Sequence, residues 1–238
     1  MKFISSSILF FALYLVNGAS VAAFPVGADK RGIARRDGVG STITVGGKQY
    51  TLVDDVSGDG GAETFKAQAV IGGGIFYAKR PTEETLPGDF TAEVTNTQKA
   101  SQVLGTNIFV SSGTYNSEAW MITAPAPGGE ITQRWEADKV KFATRAACEA
   151  DMATARSVIM GQNQKLATNP LTDFVHGDNH PGNWFVPTTG TIQTAVPIDF
   201  GKVLPPPPIT NIKQLVSTQY TYSDSTWQLF SHDLGICH

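Results

Sequence analysis

The chain has 238 residues, a length that suits one domain or a small pair of lobes. Its hydrophobic content of 41% and charged content of 16% exclude an intrinsically disordered protein. The formal net charge of -3 becomes -7 if residues 1–36 are removed, because 13 Lys and Arg then face 20 Asp and Glu. Such acidity argues against nucleic-acid binding, which needs a basic face to displace counterions.

Residues 1–23 are typical of a secretory signal peptide. Lys2 provides the positive start, residues 8–16 form an apolar core too short to span a bilayer, and residues 21–23 are small enough for signal peptidase. Residues 24–36 predict a pro-segment, with dibasic processing after Arg31 or Arg36; a solvated basic linker is the alternative. We therefore expect a secreted protein, and no later apolar run is long enough to span a membrane.

The first half of the chain predicts β-strands joined by glycine-rich turns. Residues 41–45 and 48–53 are rich in β-branched residues and flank Gly46-Gly47, which is typical of a hairpin. Similar patterns predict four further strands, at 63–70, 75–80, 108–112 and 119–123, with a turn at 113–117 in the last pair.

A glycine-rich segment formed by Gly58, Gly60 and Gly61 lies between the second and third predicted strands. Glycines allow a backbone to approach phosphate groups with no side chain in the way. A flexible turn explains the same glycines equally well. Asp59 also places a carboxylate at the tip of the segment, where it would repel a triphosphate.

A linker is predicted at 81–88, followed by a helix that begins at Asp89, whose side chain could cap it. One face of that helix is predicted to carry Phe90, Val94, Thr97 and Ser101. Glu93 is the only acidic residue inside the helix beyond its cap, and a solvated surface position is the alternative for it.

The second half begins with a Pro/Gly-rich connector at 124–130. Residues 131–169 predict two helices, with a core-facing stripe at Phe142, Ala146, Ala150, Ala153 and Val158. Short strands are predicted at 183–186 and 195–198. After four consecutive prolines, short helices are predicted at 211–220 and 226–230.

Two segments carry the chemistry: residues 176–183 (HGDNHPGN) and residues 198–201 (IDFG). Phosphoryl transfer needs a carboxylate that accepts the proton of the attacking hydroxyl, and oxygen ligands for the metal ion that bridges the phosphates. Asp and Asn supply the hard oxygen ligands that such ions prefer. Glycine, asparagine and proline also form ordinary surface turns, but both segments in this order point to a phosphotransferase.

These two segments resemble the catalytic loop and the metal loop of the protein-kinase-like superfamily, and the His-Gly-Asp sequence is similar to its aminoglycoside and choline phosphotransferase branch. The resemblance implies an α+β fold with two lobes. Residues 41–123 would form an antiparallel-sheet N-lobe, residues 124–130 a hinge, and residues 131–238 a short, mainly helical C-lobe. The helices that protein kinases use to hold peptide substrates are largely missing from this C-lobe.

The resemblance also implies roles for individual residues. Asp178 would be the catalytic base, Asn183 and Asp199 would be the metal ligands, and His176 would support the loop. Lys79 would pair with the phosphates of ATP and with Glu93 on the helix. The nucleotide would also contact Gly58, Gly60, Gly61, Thr123, Ala124 and Ala126. ATP and Mg²⁺ or Mn²⁺ are the implied cofactors, and the acceptor is an unknown protein or small molecule.

Two interpretations of function stay open. One is a secreted, kinase-like phosphotransferase. The other is a pseudokinase that serves as a secreted interaction module or effector, which the shortened C-lobe and the acidic glycine segment favour. A secreted hydrolase has no support, because no Gly-x-Ser-x-Gly or His-Glu-x-x-His motif is present.

The chain has two cysteines, Cys148 and Cys237. In an oxidising compartment they could form a disulfide that closes a long loop, which would stabilise the protein by about 4 to 5 kcal/mol. Two separate thiols are the alternative.

Overall fold

The computed structural model describes residues 37–58, 61–137, 142–178 and 181–206. Several predictions concern residues outside these ranges: the signal peptide, the pro-segment, Gly60, Cys237 and the two C-terminal helices. Among the described residues, no helix combines the length and the apolar character needed to cross a membrane.

The fold is mixed α+β, with an antiparallel sheet in its N-terminal part. Six strands form this sheet in the order β1-β2-β3-β4-β6-β5. Their bounds are β1 Thr42–Val45, β2 Lys48–Asp55, β3 Ala62–Ala69, β4 Ile75–Pro81, β5 Phe109–Tyr115 and β6 Glu118–Thr123. Helix α1, Pro87–Leu104, connects β4 to β5. All six predicted strands are therefore present.

Glycine is required where β1 turns into β2. Gly46 and Gly47 have φ values of 57° and 75°, which match the two-residue turn that the sequence predicts. The turn also lies against β5, because a Cβ atom at Gly46 would be 2.6 Å from the Cβ atom of Ser111. The two edge strands of the sheet thus approach each other, and the sheet curls around a core of Ile43, Tyr50, Leu52, Phe65, Trp120 and Ile122.

Two predicted boundaries in this region were wrong. Strand β5 continues to Tyr115, and the turn shrinks to Asn116 and Ser117, whose φ values of 50° and 65° fit a two-residue hairpin turn. Helix α1 begins at Pro87 rather than at Asp89, and its N-cap residue Leu86 makes no side-chain cap bond. Proline suits the first turn of a helix, where its missing N–H has no helical partner.

The C-terminal part contains helices α2 Ile131–Ala137 and α3 Arg145–Thr168, with short strands around them. The strands are β7 Gly129–Glu130, β8 Val175–His176, β9 Trp184–Val186, β10 Val196–Pro197 and β11 Val203–Leu204. Strand β9 pairs with β7 and β10, and β8 pairs with β11. The end of the predicted connector, Gly129–Glu130, is therefore a strand rather than irregular chain.

The predicted core stripe was wrong at its three alanines, since Ala146, Ala150 and Ala153 are exposed. Phe142, which precedes α3, and Val158 are partly buried and pack against the core, as predicted. The buried side of α3 is instead formed by Cys148, Met152, Ala155, Ile159, Gln162, Asn163, Leu166 and Ala167. Alanines occur on both sides of this helix, so their spacing alone does not identify the side that packs.

Cys148 is buried within this packed side of α3. Since Cys237 lies outside the described residues, the pairing of the two cysteines stays a prediction.

An arginine joins α2 to α3 and to the β9–β10 connection. The Arg134 guanidinium donates two hydrogen bonds of 2.8 Å to the carboxylate of Asp151. It also donates to the backbone carbonyls of Pro187 and Gly190 at 2.5 and 2.6 Å. These bonds hold β9, and with it the residues that precede β9, against the helices.

Candidate functional site

Strand β4 presents a lysine on the face of the sheet opposite the curled core. Ala78 and Arg80 are buried toward that core, so alternation along the strand places Tyr77 and Lys79 on the other face. The Lys79 ammonium donates to Glu93 Oε1 at 2.5 Å and to Asp199 Oδ1 at 3.2 Å. One cation therefore lies between two carboxylates from distant parts of the chain.

Glu93 reaches Lys79 from the buried side of α1. The predicted face of this helix is present, since Phe90, Val94, Thr97 and Ser101 are all buried. Glu93 lies on the same side and has only 8% of its side chain exposed. The predicted alternative, a solvated surface glutamate, is excluded by this burial.

The charges of this cluster affect one another. Burial acts to lower the pKa of Lys79, but Glu93 and Asp199 outweigh it and raise the pKa above its ordinary value. Burial raises the pKa of Glu93 even though Lys79 opposes that rise. Burial also acts to raise the pKa of Asp199. Lys79 outweighs this effect and holds the pKa of Asp199 below its ordinary value. Asp199 is therefore ionised near neutral pH and able to bind a cation.

His176 joins the two segments that the sequence singled out. Its side chain is fully buried on β8, and its Nε2 atom lies 2.8 Å from the carbonyl oxygen of Ile198. The backbone N–H of Asp178 donates to Nδ1 at 3.2 Å. Because Nδ1 accepts, the proton lies on Nε2, which donates to Ile198. Burial lowers the pKa of His176, which keeps the ring neutral in this arrangement.

Asn183 fixes the other end of the first segment. Its side-chain Nδ2 donates to the backbone carbonyl of Asp178 at 3.1 Å, across a 3-10 turn at Pro181–Asn183. Since the amide nitrogen is used in this bond, the amide oxygen is left for another partner. Asp178 itself is exposed.

Asp199 is held in an uncommon backbone conformation. Its φ of 59° lies in the left-handed region, which non-glycine residues seldom adopt and which is frequent at functional sites. Phe200 next to it is buried in a cluster with Ala100, Leu166 and Phe174, which joins α1 and α3. The packing of Phe200 thus fixes the position of the Asp199 carboxylate.

A cavity of about 360 Å³ brings most of the predicted site residues together. One part of its wall contains Lys79, Glu93, Asn183 and Asp199, and another contains Thr123, Ala124 and Ala126. A second cavity, of about 430 Å³, shares Lys79, Glu93 and Asp199 with the first and is also lined by Gly58 and Gly61. Asp178 and His176 line neither cavity, and Gly60 lies outside the described residues.

Several cavity residues were missed by the sequence analysis, notably Tyr77, Glu130 and Phe185. One of them follows from strand alternation, because Tyr77 precedes Lys79 by two residues on β4 and lies on the same face. Phe185 lies on β9 between the buried residues Trp184 and Val186, whereas Asn183 belongs to the preceding 3-10 turn. Glu130 ends β7, a two-residue strand that no sequence pattern indicated.

Asn183 and Asp199 are the residues that could hold a divalent metal ion. They offer one carboxylate and one amide oxygen on the wall of a single cavity, a donor set suited to a hard cation such as Mg²⁺. Over the described ranges, no group of three His, Cys, Asp or Glu residues is arranged to hold a metal by itself. The pair therefore fits an ion that takes its remaining ligands from a bound phosphate and water.

Comparisons with known proteins give a similarity of fold only. No protein-family model matches the chain, and no curated protein matches it. Solved structures do match, among them a point mutant of the Mycobacterium tuberculosis PknI kinase domain, with a TM-score of 0.46 and 16% sequence identity. That match covers 70% of this chain and 63% of the other, so the chain spans less than two thirds of that domain.

Proposed function

We propose that the chain is a kinase-like phosphotransferase that uses ATP and a divalent metal ion, Mg²⁺ or Mn²⁺, and transfers a phosphoryl group to a hydroxyl. The observation that carries this proposal is the shared cavity, where Lys79, Glu93, Asn183 and Asp199 lie together. Its volume of about 360 Å³ is within the range of cavities that bind small molecules. The acceptor is a protein or a small molecule.

The proposal includes a two-lobed arrangement. The six-stranded sheet and α1 would form the nucleotide lobe, residues from 131 onward would form the second lobe, and the connector 124–130 would be the hinge. Support comes from the cavity wall, which combines residues of the sheet with Phe185 and Ile198 from the C-terminal part.

The adenine ring would occupy the part of the cavity near the connector. Val56, Tyr77, Met121 and Phe185 supply apolar and aromatic surface that suits a planar base. The backbone groups of Ala124 and Ala126 would make its polar contacts, and Thr123 would lie at its back edge. This placement directs the phosphates toward Lys79.

Lys79 would contact the phosphates, with Glu93 holding the ammonium in place. Asp199 and Asn183 would hold the metal ion through the Asp199 carboxylate and the Asn183 amide oxygen. When bound, that ion would neutralise charge on the phosphate oxygens. His176 would keep both segments aligned through its bonds to Ile198 and Asp178.

Asp178 would be the general base. Its carboxylate is exposed, so a hydroxyl acceptor can reach it from solvent. As the acceptor oxygen bonds to the transferred phosphorus, its proton would pass to the Asp178 carboxylate and ADP would leave. The Asn183 bond to the Asp178 carbonyl would hold the loop during this step.

Nucleotide binding is tested by thermal unfolding of the full chain with millimolar ATP and Mg²⁺ or Mn²⁺. We expect a rise in Tm, because a ligand at 100 times its Kd adds about 2.7 kcal/mol to stability. Lys79→Met should abolish the rise, whereas Lys66→Met, an exposed lysine on the neighbouring strand, should keep it. An equal rise in both variants would refute the role of Lys79.

The base is tested by ATP turnover with water as the acceptor. Asp178→Asn should lower turnover at least about 100-fold, the usual contribution of a general base, while the Kd for ATP stays unchanged. Turnover that survives this substitution would refute the assignment of Asp178.

A second candidate is a secreted pseudokinase that acts as an interaction module. The position of Asp178 favours it, because this residue lines neither cavity. If the protein is a pseudokinase, the wild type and Asp178→Asn should show the same negligible ATP turnover, whether or not the protein binds nucleotide. Turnover that depends on Asp178 would exclude it.

Secretion belongs to the same proposal. We expect the protein in the culture medium of a secreting host, with an N-terminus at Phe24, Gly32 or Asp37. N-terminal sequencing of the exported protein tests this, and an uncleaved Met1 would contradict it.

A further inference from the structure

The connection between β4 and α1 contains a turn of two threonines and two glutamates, residues 82–85. The backbone N–H of Thr82 donates to Thr85 Oγ1 at 3.0 Å, and the two hydroxyl oxygens lie 3.0 Å apart. The N–H of Thr85 donates back to the carbonyl of Thr82 at 3.2 Å. The turn is therefore closed by its own hydrogen bonds, with both hydroxyl groups on one side.

Both hydroxyl groups face the end of the glycine-rich segment. The carbonyl oxygen of Gly61 accepts hydrogen bonds from Thr82 Oγ1 at 3.2 Å and from Thr85 Oγ1. The backbone N–H of Thr82 approaches the same oxygen at 3.3 Å. One carbonyl thus receives three donors from a single turn, which we call the threonine turn (residues 82–85).

The other end of the segment is attached separately. Ser57 Oγ accepts from the N–H of Thr64 at 2.9 Å, which joins the start of the segment to β3. The described part of the segment is thus held at both ends, by a serine on one side and by the threonine turn on the other.

The threonine turn also connects two of the charged residues of the site, Lys79 and Glu93. It follows β4, which carries Lys79, and it precedes α1, which carries Glu93. Thr85, Gly58 and Gly61 line the second cavity together with Lys79 and Asp199. The position of Gly61 is therefore linked to the part of the chain that spaces Lys79 from Glu93.

We propose that Thr82 and Thr85 are positioning residues that hold the glycine-rich segment at the distance from Lys79 that nucleotide binding requires. This inference rests on the proposed function. Neither threonine needs to contact the nucleotide; each acts through the carbonyl of Gly61. Glycine at position 61 has much conformational entropy to lose on binding, and the hydroxyl bonds to its carbonyl reduce that loss in advance.

The test replaces both threonines by valine, which keeps the shape of the side chain and removes the hydroxyl. In the full chain without nucleotide, we expect faster amide hydrogen exchange at Gly61, Ala62 and Thr82, next to the bonds that are removed. With ATP and Mg²⁺, we expect the Kd to rise roughly tenfold, as the loss of one or two neutral hydrogen bonds implies. Turnover at saturating ATP should stay unchanged.

Two further variants separate positioning from a general effect on stability. Replacement of both threonines by serine restores the hydroxyls and should restore both exchange and Kd. Thr154→Val removes an exposed hydroxyl that bonds to the carbonyl of Ala150 in its own helix, and it should change neither. If the double valine variant does not fold, Thr82→Val and Thr85→Val are measured singly.

Unchanged exchange in the valine variants, or faster exchange with an unchanged Kd, would overturn this inference alone. A wild type that binds no nucleotide would overturn the proposed function, and this role with it. Because exchange is measured without nucleotide, the two failures can be told apart.

Discussion

Lys79 and Arg80 are neighbours on β4, and their side chains point to opposite faces of the sheet. Each of them pairs with two carboxylates on its own face. Arg80 pairs with Glu63 and Glu118 at 2.6 and 2.7 Å, and its guanidinium lies over the rings of Phe65 and Trp120 at 5.4 and 5.0 Å. Lys79 pairs with Glu93 and Asp199 at the wall of a cavity.

The two clusters have the same charges and different surroundings. The Arg80 side chain is 3% exposed and its carboxylates come from the two neighbouring strands, so the cluster joins β3, β4 and β6. In the Lys79 cluster the Asp199 side chain is 48% exposed. The two partners of Lys79 come from helix α1 and from a distant loop. The first arrangement stabilises the sheet, whereas the second places a half-exposed carboxylate on the wall of a cavity.

The largest expected effect comes from Arg80→Met. Arg80→Met removes a 3% exposed guanidinium that Glu63 and Glu118 share, together with its contacts to Phe65 and Trp120, and we expect a loss of about 3 kcal/mol in the free energy of unfolding. Denaturant titration measures it. Arg145→Met, which breaks an exposed pair with Glu149, should cost no more than about 0.5 kcal/mol. Equal losses would remove the distinction between buried and exposed pairs.

A smaller effect on stability is expected for Lys79→Met. Glu93 can take up a proton, since burial already raises its pKa, and Asp199 is half-exposed, so we expect a loss of about 1 kcal/mol. The free energy of unfolding from denaturant titration checks this value. A loss as large as that of Arg80→Met would contradict the difference in stability that is expected between the two clusters.

The smallest effect concerns pH. The pKa of His176 is lowered in the folded protein, so the unfolded chain binds the proton more readily. The stability from a neutral His176 is present above the unfolded pKa of about 6.5 and is lost as pH falls toward the lowered folded value. Unfolding measured from pH 7.5 to 5.5 should show this decline in the wild type and a flatter profile in His176→Gln. Parallel profiles would contradict it.

The sheet could be predicted from the sequence because it depends on short-range periodicity. The Lys79–Glu93 contact, which the structure contains, was expected only from the resemblance to the protein-kinase-like superfamily. Alternation on β4 sets the direction of Lys79, and helical spacing from Phe90 to Thr97 sets the side of α1 that carries Glu93. The predicted ranges of the strands and of α1 needed only small corrections at their ends. The contact itself joins residues only 14 positions apart.

Other features depend on tertiary packing and were not predictable from the sequence. The left-handed backbone at Asp199 stands next to Phe200, which is buried against α1 and α3, and no local pattern indicates either feature. The alanines of α3 were assigned to the wrong side of the helix because alanine fits either a packed or an exposed side, and only tertiary packing decides between them. Residues 82–85 were predicted only as part of a linker. Their bonds to the Gly61 carbonyl were not predictable, because that carbonyl is more than 20 positions away in the sequence.

Binding of a metal ion by Asp199 together with ATP is tested most directly by calorimetric titration. The wild type and Asp173→Asn, an exposed control whose φ of 50° resembles that of Asp199, should bind ATP more tightly with Mg²⁺ than without it. Asp199→Asn should show no gain from Mg²⁺. A full magnesium-dependent gain in Asp199→Asn, or no binding of millimolar ATP by the wild type, would contradict the account.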